Sequence, residues 1–184
     1  MCIRDSSHAV EGFPRDFSSE TYIKHLECES DIAKLVVFDT WIRNIDRHDP
    51  RSNEPQMNSD NLLYVKETDS DKYQLVPIDH SMCFFDEPFN MIEGIQEDIE
   101  DPAIYGLFPE FQGYINDSSV ADAIGYLSSL SEEFVLQCVN SIPPEWHLGD
   151  SMKTKLCHLI CQRAKFVVDT ASVKLVDNPR LPGI

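Results

Sequence analysis

The sequence predicts an α+β domain that is mostly α. Three observations carry this expectation. An apolar run from Ile32 to Ile45 has helical spacing, two short β-rich runs flank a polar turn, and helical periodicity fills the C-terminal third. The chain has 184 residues, enough for one domain with a real core. Its hydrophobic share of 42% and aromatic share of 10% are those of a folded protein.

Phe13-Pro14-Arg15-Asp16-Phe17 reads as a loop, with Pro14 ending any preceding element. Residues 22–27 are expected to form a short helix. A longer helix follows, with Ser30 or Asp31 as N-cap. Its apolar residues Ile32, Leu35, Val36, Val37, Phe38, Trp41, Ile42 and Ile45 cover more than one face. This helix is therefore expected to be central and buried on most sides. Asp39 interrupts it, either as a buried partner for Arg43 or Arg47 or as an exposed residue.

Residues 49–60, with two prolines and two asparagines, have no apolar period and read as a loop. Residues 61–65 and 73–78, rich in Leu, Val, Ile and Tyr, are expected to pair as a hairpin. The acidic stretch 86–102 reads as a solvated face rather than a cation site. Beyond it, Ser118 or Ser119 is expected to cap one helix, and Ser129 with Glu132 resembles a capping box before another. Pro143-Pro144 stops that helix. Asp150 is then expected to cap a long final helix buried along Met152, Leu156, Leu159, Ile160 and Phe166 or Val167. The tail from Asp177 to Gly183 reads as extended or frayed.

With 15 basic against 32 acidic residues, the net charge is −17. Such a surface repels phosphate backbones and anionic lipid, which disfavours direct nucleic-acid or membrane binding. No apolar run reaches the ~20 residues of a membrane span. The six cysteines are scattered, most of them among apolar neighbours, as buried free thiols are. Cys157 and Cys161, one turn apart beside His158, lack a second pair at ligand spacing and read as core. A cytoplasmic location follows as the expectation.

Three groups stand at element ends: the Asp46 carboxylate in Asn44-Ile45-Asp46-Arg47-His48, the Asn61 amide, and the Asp79 carboxylate in Pro77-Ile78-Asp79-His80. Phosphoryl transfer needs a carboxylate beside the attacking hydroxyl and two oxygen ligands for magnesium. Arg47 and His48 would hold the loop or the transferred phosphoryl group. Each group also has a structural use. Asp46 can cap a turn, Asn61 can open a strand through an Asx-turn, and Asp79 can pair with Arg47.

The strings Phe38-Asp39-x-Trp41-Ile42-x-Asn44-x-Asp46-Arg47-His48, Asn61-Leu62-Leu63 and Pro77-Ile78-Asp79-His80-x-x-x-Phe84 resemble the C-lobe of HipA-like kinases, relatives in fold of the phosphoinositide kinases. The resemblance is close over residues 31–85. It implies a protein-kinase-like C-lobe with a small hairpin and C-terminal helices. It also implies ATP and Mg²⁺ as cofactors, Asp46, Arg47 and His48 as the catalytic string, and Asn61 and Asp79 as metal ligands. A protein or small-molecule hydroxyl would be the acceptor. The metal-binding Asn of the family follows its Asp-Arg-His string more closely, so Asn53 and Asn58 compete with Asn61. The family's N-lobe, with a lysine-bearing sheet and a phosphate-covering loop, has no counterpart before Asp31. The expected organisation is a truncated N-terminal segment or linker over 1–30, a kinase-like C-lobe over 31–176 and a tail over 177–184, inactive alone.

Two other readings use the same residues. An HD-type metal-dependent phosphohydrolase would recruit His25, His48, Asp49 and Asp122, in an all-helical fold that the hairpin interrupts. A non-catalytic pseudokinase module would bind a protein partner through its acidic surface and helices.

Overall fold

In the computed structural model the described residues are 12–14, 19–51, 58–66, 69–84 and 95–177. The chain enters through a two-residue strand, β1 (Phe13–Pro14), and a short helix, α1 (Ser19–Ile23). Helix α2 (Ser30–Ile42) follows. A 3-10 turn over Ser59–Asn61 then delivers the chain into β2 (Leu62–Lys66), which pairs antiparallel with β3 (Tyr73–Pro77). The remainder is helical: α3 (Ile95–Ile99), α4 (Asp117–Ser128), α5 (Glu132–Asn140) and α6 (Asp150–Ser172). A π turn over Val173–Asp177 prolongs α6. The sheet order is β1-β2-β3, so the class is α+β and mostly helical, as expected.

Helix α2 is the axis of the molecule. Its Ile32, Ala33, Leu35, Val36, Val37 and Ile42 are buried, packed between the sheet on one side and α4 and α6 on the other. Four of these six, Ile32, Val36, Val37 and Ile42, are β-branched, which locally weakens a helix by a few tenths of a kcal/mol per residue. Burial outweighs that, at about 1.5–3 kcal/mol for each fully enclosed Val, Leu or Ile. The helix ends at Ile42, short of the expected Ile45, because Arg43 turns left-handed (φ 52°). Its N–H and that of Asn44 both close on the Asp39 carbonyl.

Around this axis lie Ile23, Leu26, Leu62, Tyr64, Phe108, Phe111, Val120 and Val167. A smaller cluster of Val135, Val139 and Cys157 joins α5 to α6. Cys157 thus packs in the core, with Cys161 against the same cluster. Among the described residues, no helix is long and apolar enough to cross a membrane.

Several local expectations are corrected. Phe13–Pro14 is an edge strand on β2 rather than loop, a place where proline's missing N–H costs nothing. Arg15–Phe17 lie outside the described residues. The first helix ends at Ile23, and Leu26 instead bridges to Tyr73. Glu29 occupies the N-cap of α2, because the turn at Cys28 and Glu29 already accepts the N–H groups of Asp31 and Ile32.

Asn116, not Ser118 or Ser119, caps α4. Its side chain accepts the Ser119 N–H while Ser119 Oγ accepts the Asn116 N–H. Ser131 caps α5 through the Phe134 N–H, since Ser129 is spent closing α4 onto the Tyr126 carbonyl. Gly149 is the N-cap of α6 and Asp150 its first residue. The buried stripe of α6 includes Cys157, Arg163, Ala164 and Ala171 as well as Leu159 and Val167. Residues 178–184 of the tail lie outside the described residues.

Candidate functional site

The loop leaving α2 is built around one fully buried cation. Arg47 has no exposed side-chain surface. Its Nε donates to Asp39 Oδ2 at 2.7 Å, Nη1 to the Asn61 carbonyl, and Nη2 to the Ile78 carbonyl at 3.4 Å. Nη2 also lies 3.2 Å from His80 Nε2. One guanidinium therefore ties α2, the start of β2 and the exit of β3 to the loop that carries Asp46. Asn44, itself buried, completes the arrangement by donating to Asp39 Oδ1 at 3.2 Å and accepting the Arg47 N–H at 3.4 Å. Asp39 is thus the buried partner of Arg47. Burial pushes its carboxyl up to about 6, with Arg47 and Asn44 opposing.

Asp46 stands half-buried on this loop. Asn61 Nδ2 donates to its Oδ2, and Asn58 Nδ2 reaches its Oδ1 at 3.4 Å. Asn61 is buried, and its carbonyl accepts from both Arg47 and the Ile78 N–H. Asn58 caps the 3-10 turn through the Asp60 N–H, so both asparagines face Asp46 but only Asn61 is locked by the sheet. Asn53 lies outside the described residues.

Asp79 follows Ile78 directly and turns left-handed (φ 51°). Its Oδ1 accepts the Ser81 N–H at 3.1 Å, and hydrogen bonding from Ser81 holds its carboxyl below the usual range. The chain then folds back onto the loop after α2. The Ile45 N–H meets the Met82 carbonyl at 3.3 Å, and the Phe84 N–H meets the Ile42 carbonyl at 2.6 Å. Between them sits Cys83, whose thiol is pushed up to about 12 by burial and then by the charges of Asp39, Asp79 and Asp46. Asp46 and Asn61 are therefore in contact, and Asp79 directly follows Ile78, whose N–H donates to the Asn61 carbonyl.

His48 is buried, its ring 6.1 Å from that of Phe108. Arg47 and His48 both face inward, so they hold the loop; neither projects into solvent. The HD-type ligand set is not assembled. His25 is exposed on the far side of a turn, Asp122 pairs with Lys34, and Asp49 binds Arg51. Among the described residues, no three His, Cys, Asp or Glu side chains come together to hold a metal.

Sequence reasoning missed the second ionic centre. Arg43 Nη1 binds Asp98 at 2.6 Å and the Phe84 carbonyl at 2.9 Å, while its Nε binds Asp101 at 3.0 Å. Two residues of the stretch expected to be a solvated face therefore serve an internal cation. Asp101 also accepts the Tyr105 hydroxyl, and Arg163, fully buried, spans the carbonyls of Ile99, Asp101 and Thr40. The available signal was Arg163 itself, a charge at a stripe position of the final helix.

Gly106 (φ 69°) packs flat on the Asp39 carboxylate, where an added Cβ would lie 2.3 Å from Oδ2. We expect Gly106→Ala to cost more than the roughly 1–2 kcal/mol that left-handed geometry alone costs. Gly125→Ala, in open space on α4, should be neutral or stabilising. Paired urea titrations check both.

A helix thus feeds an Asp-bearing loop, an asparagine is bonded to that Asp, and a hairpin leads to a second Asp. The chain belongs to the HipA-like kinase family, whose family model matches residues 19–174. No curated protein and no solved structure matches it.

Proposed function

We propose that this chain is the catalytic C-lobe of an ATP- and Mg²⁺-dependent phosphotransferase acting on a hydroxyl of a protein or small molecule. One observation carries the reading: in a HipA-like kinase chain, Asp46 and Asn61 are in direct contact on a loop that Arg47 locks to the exit of β3. Asp46 accepts the acceptor's hydroxyl proton and aims its oxygen for in-line attack. Arg47 and His48 are positioning residues.

The donor set suits magnesium. With Nδ2 given to Asp46, Asn61 keeps its amide oxygen, a neutral hard ligand. Asp79 stays ionised, held by hydrogen bonds from Ser81, and is exposed at the exit of β3. Magnesium, when bound there, would neutralise charge on the nucleotide phosphates. The net charge of −17 disfavours nucleic acid as acceptor, and a cytoplasmic setting suits an ATP-dependent enzyme.

The described sheet carries no glycine-rich phosphate loop, and we expect this chain to bind Mg²⁺·ATP weakly. Calorimetric titration tests this. Joined to the nucleotide-holding lobe of a family member, the chain should turn over ATP only with Mg²⁺ and stop on chelation. Turnover indifferent to chelation would overturn the assignment.

A further inference from the structure

A cavity of about 550 Å³ opens between α2, α4 and β3 and reaches His80 at the exit of β3. Leu35, Phe38, Trp41, Leu75, Tyr126 and Leu130 line it. Its size is that of a ligand or peptide site. Two of its aromatic rings remain open to water, with Tyr126 65% and Phe38 39% exposed. Together they form an exposed apolar surface of the kind that marks an interaction site.

An added strand does not fit. β3 is the outer strand of the sheet, but its free edge is blocked at both ends. Tyr73 already bonds His25 and Glu27 through its backbone, and Pro77 has no N–H. Leu75 alone lies between them, too little for strand addition. A helix laid into the groove meets no such obstacle.

Charge narrows the occupant further. At the mouth, Lys34 lies 3.0 Å from Asp31 and 3.6 Å from Asp122, and its ammonium sits over the Tyr126 ring. The three side chains together carry a net negative charge, on a protein of net charge −17. A second copy would bring the same charge against itself, whereas a cationic partner is steered in.

We propose that this groove docks an amphipathic helix of a partner protein, apolar on one face and flanked by Lys or Arg. The inference is one of binding and not of phosphotransfer: the groove reaches Pro77 and His80 beside the polar loop, but Asp46, Asn61 and Asp79 do not line it.

The test titrates the full chain, carrying Trp146→Phe, into a labelled Leu/Lys amphipathic peptide at physiological salt. Trp41 is then the only tryptophan and reports from the groove wall. Expected are saturable anisotropy and a shift in Trp41 emission. Adding Tyr126→Lys should weaken binding at least about tenfold without moving the unfolding midpoint, because Tyr126 is an exposed anchor. Absence of saturable binding overturns the proposal. So does binding that ignores Tyr126→Lys or leaves Trp41 silent, which would mean general adhesion to an acidic surface. A Leu/Glu peptide binding equally well would defeat the charge argument. Dimerisation of the chain in sedimentation, abolished by Tyr126→Lys, would assign the groove to a second copy.

Discussion

Asp46→Ala, in the chain joined to a nucleotide-holding lobe, should lower kcat by about 10²–10⁴-fold, the usual worth of a positioned general base. The fold should survive. Asp46 is half-buried, and its partners are two asparagine amides rather than a cation, so its removal strands no charge. Asp79→Ala should be as severe for a different reason. This carboxylate is exposed and takes its hydrogen bonds from Ser81, two residues on, so its loss should spare stability while raising the Mg²⁺ concentration needed for half-maximal rate. The two variants thus separate: Asp46→Ala stays slow at any magnesium concentration, and Asp79→Ala is partly rescued. Asn61→Ala is less clean, because the buried Asn61 amide is both the candidate metal ligand and a hydrogen-bond donor to Asp46, and the substitution removes both at once. Activity within twofold of the parent in both aspartate variants, with unchanged unfolding midpoints, would remove the site.

Much of this was legible because strong local rules and the global fold agree. The hairpin follows from β-branched and aromatic runs about a polar turn, and its register brings Leu62 opposite Pro77. That register is what sets Asn61 beside Ile78 and hence near Asp79. Helix α2 was legible from an apolar surface wider than one face. The helix starts were not. Asn116, Ser118 and Ser119 all qualify as caps, and so do Ser129 and Ser131; the choice falls to whichever side chain is not needed by the preceding turn. Nor could charge pattern show that Asp98 and Asp101 turn inward. That depends on Arg43 and Arg163 arriving from elements 55 and 62 residues away in sequence. Buried ion pairs are tertiary facts, and a run of acids looks the same whether or not a cation is waiting for it.

The largest effect on stability should come from Arg47. Arg47→Met keeps the volume but leaves Asp39 enclosed with only Asn44, and removes donors from the Asn61 and Ile78 carbonyls. Breaking a buried pair from one side typically costs about 3–5 kcal/mol, a large part of a domain's margin. The charge and the carbonyl ties can be told apart. Arg47→Met with Asp39→Asn should recover the part due to the stranded carboxylate, but not the part due to the unmet carbonyls. The pH dependence gives an independent check. Asp39 sits at about 6 in the fold against 3.8 for the unperturbed group, so the folded state holds the extra proton between those values. Unfolding free energy should therefore carry a component that falls as pH rises from about 4 to 6, and Asp39→Asn should remove it. Asp49, Asp79 and Asp101, all held below the usual range, contribute in the opposite sense, losing stability as pH falls. They are common to parent and variant, so the difference between the two urea curves isolates Asp39. A loss below about 1 kcal/mol in Arg47→Met would be the signature of a solvent-exposed pair. It would mean that the loop bearing Asp46 is held by something other than this guanidinium.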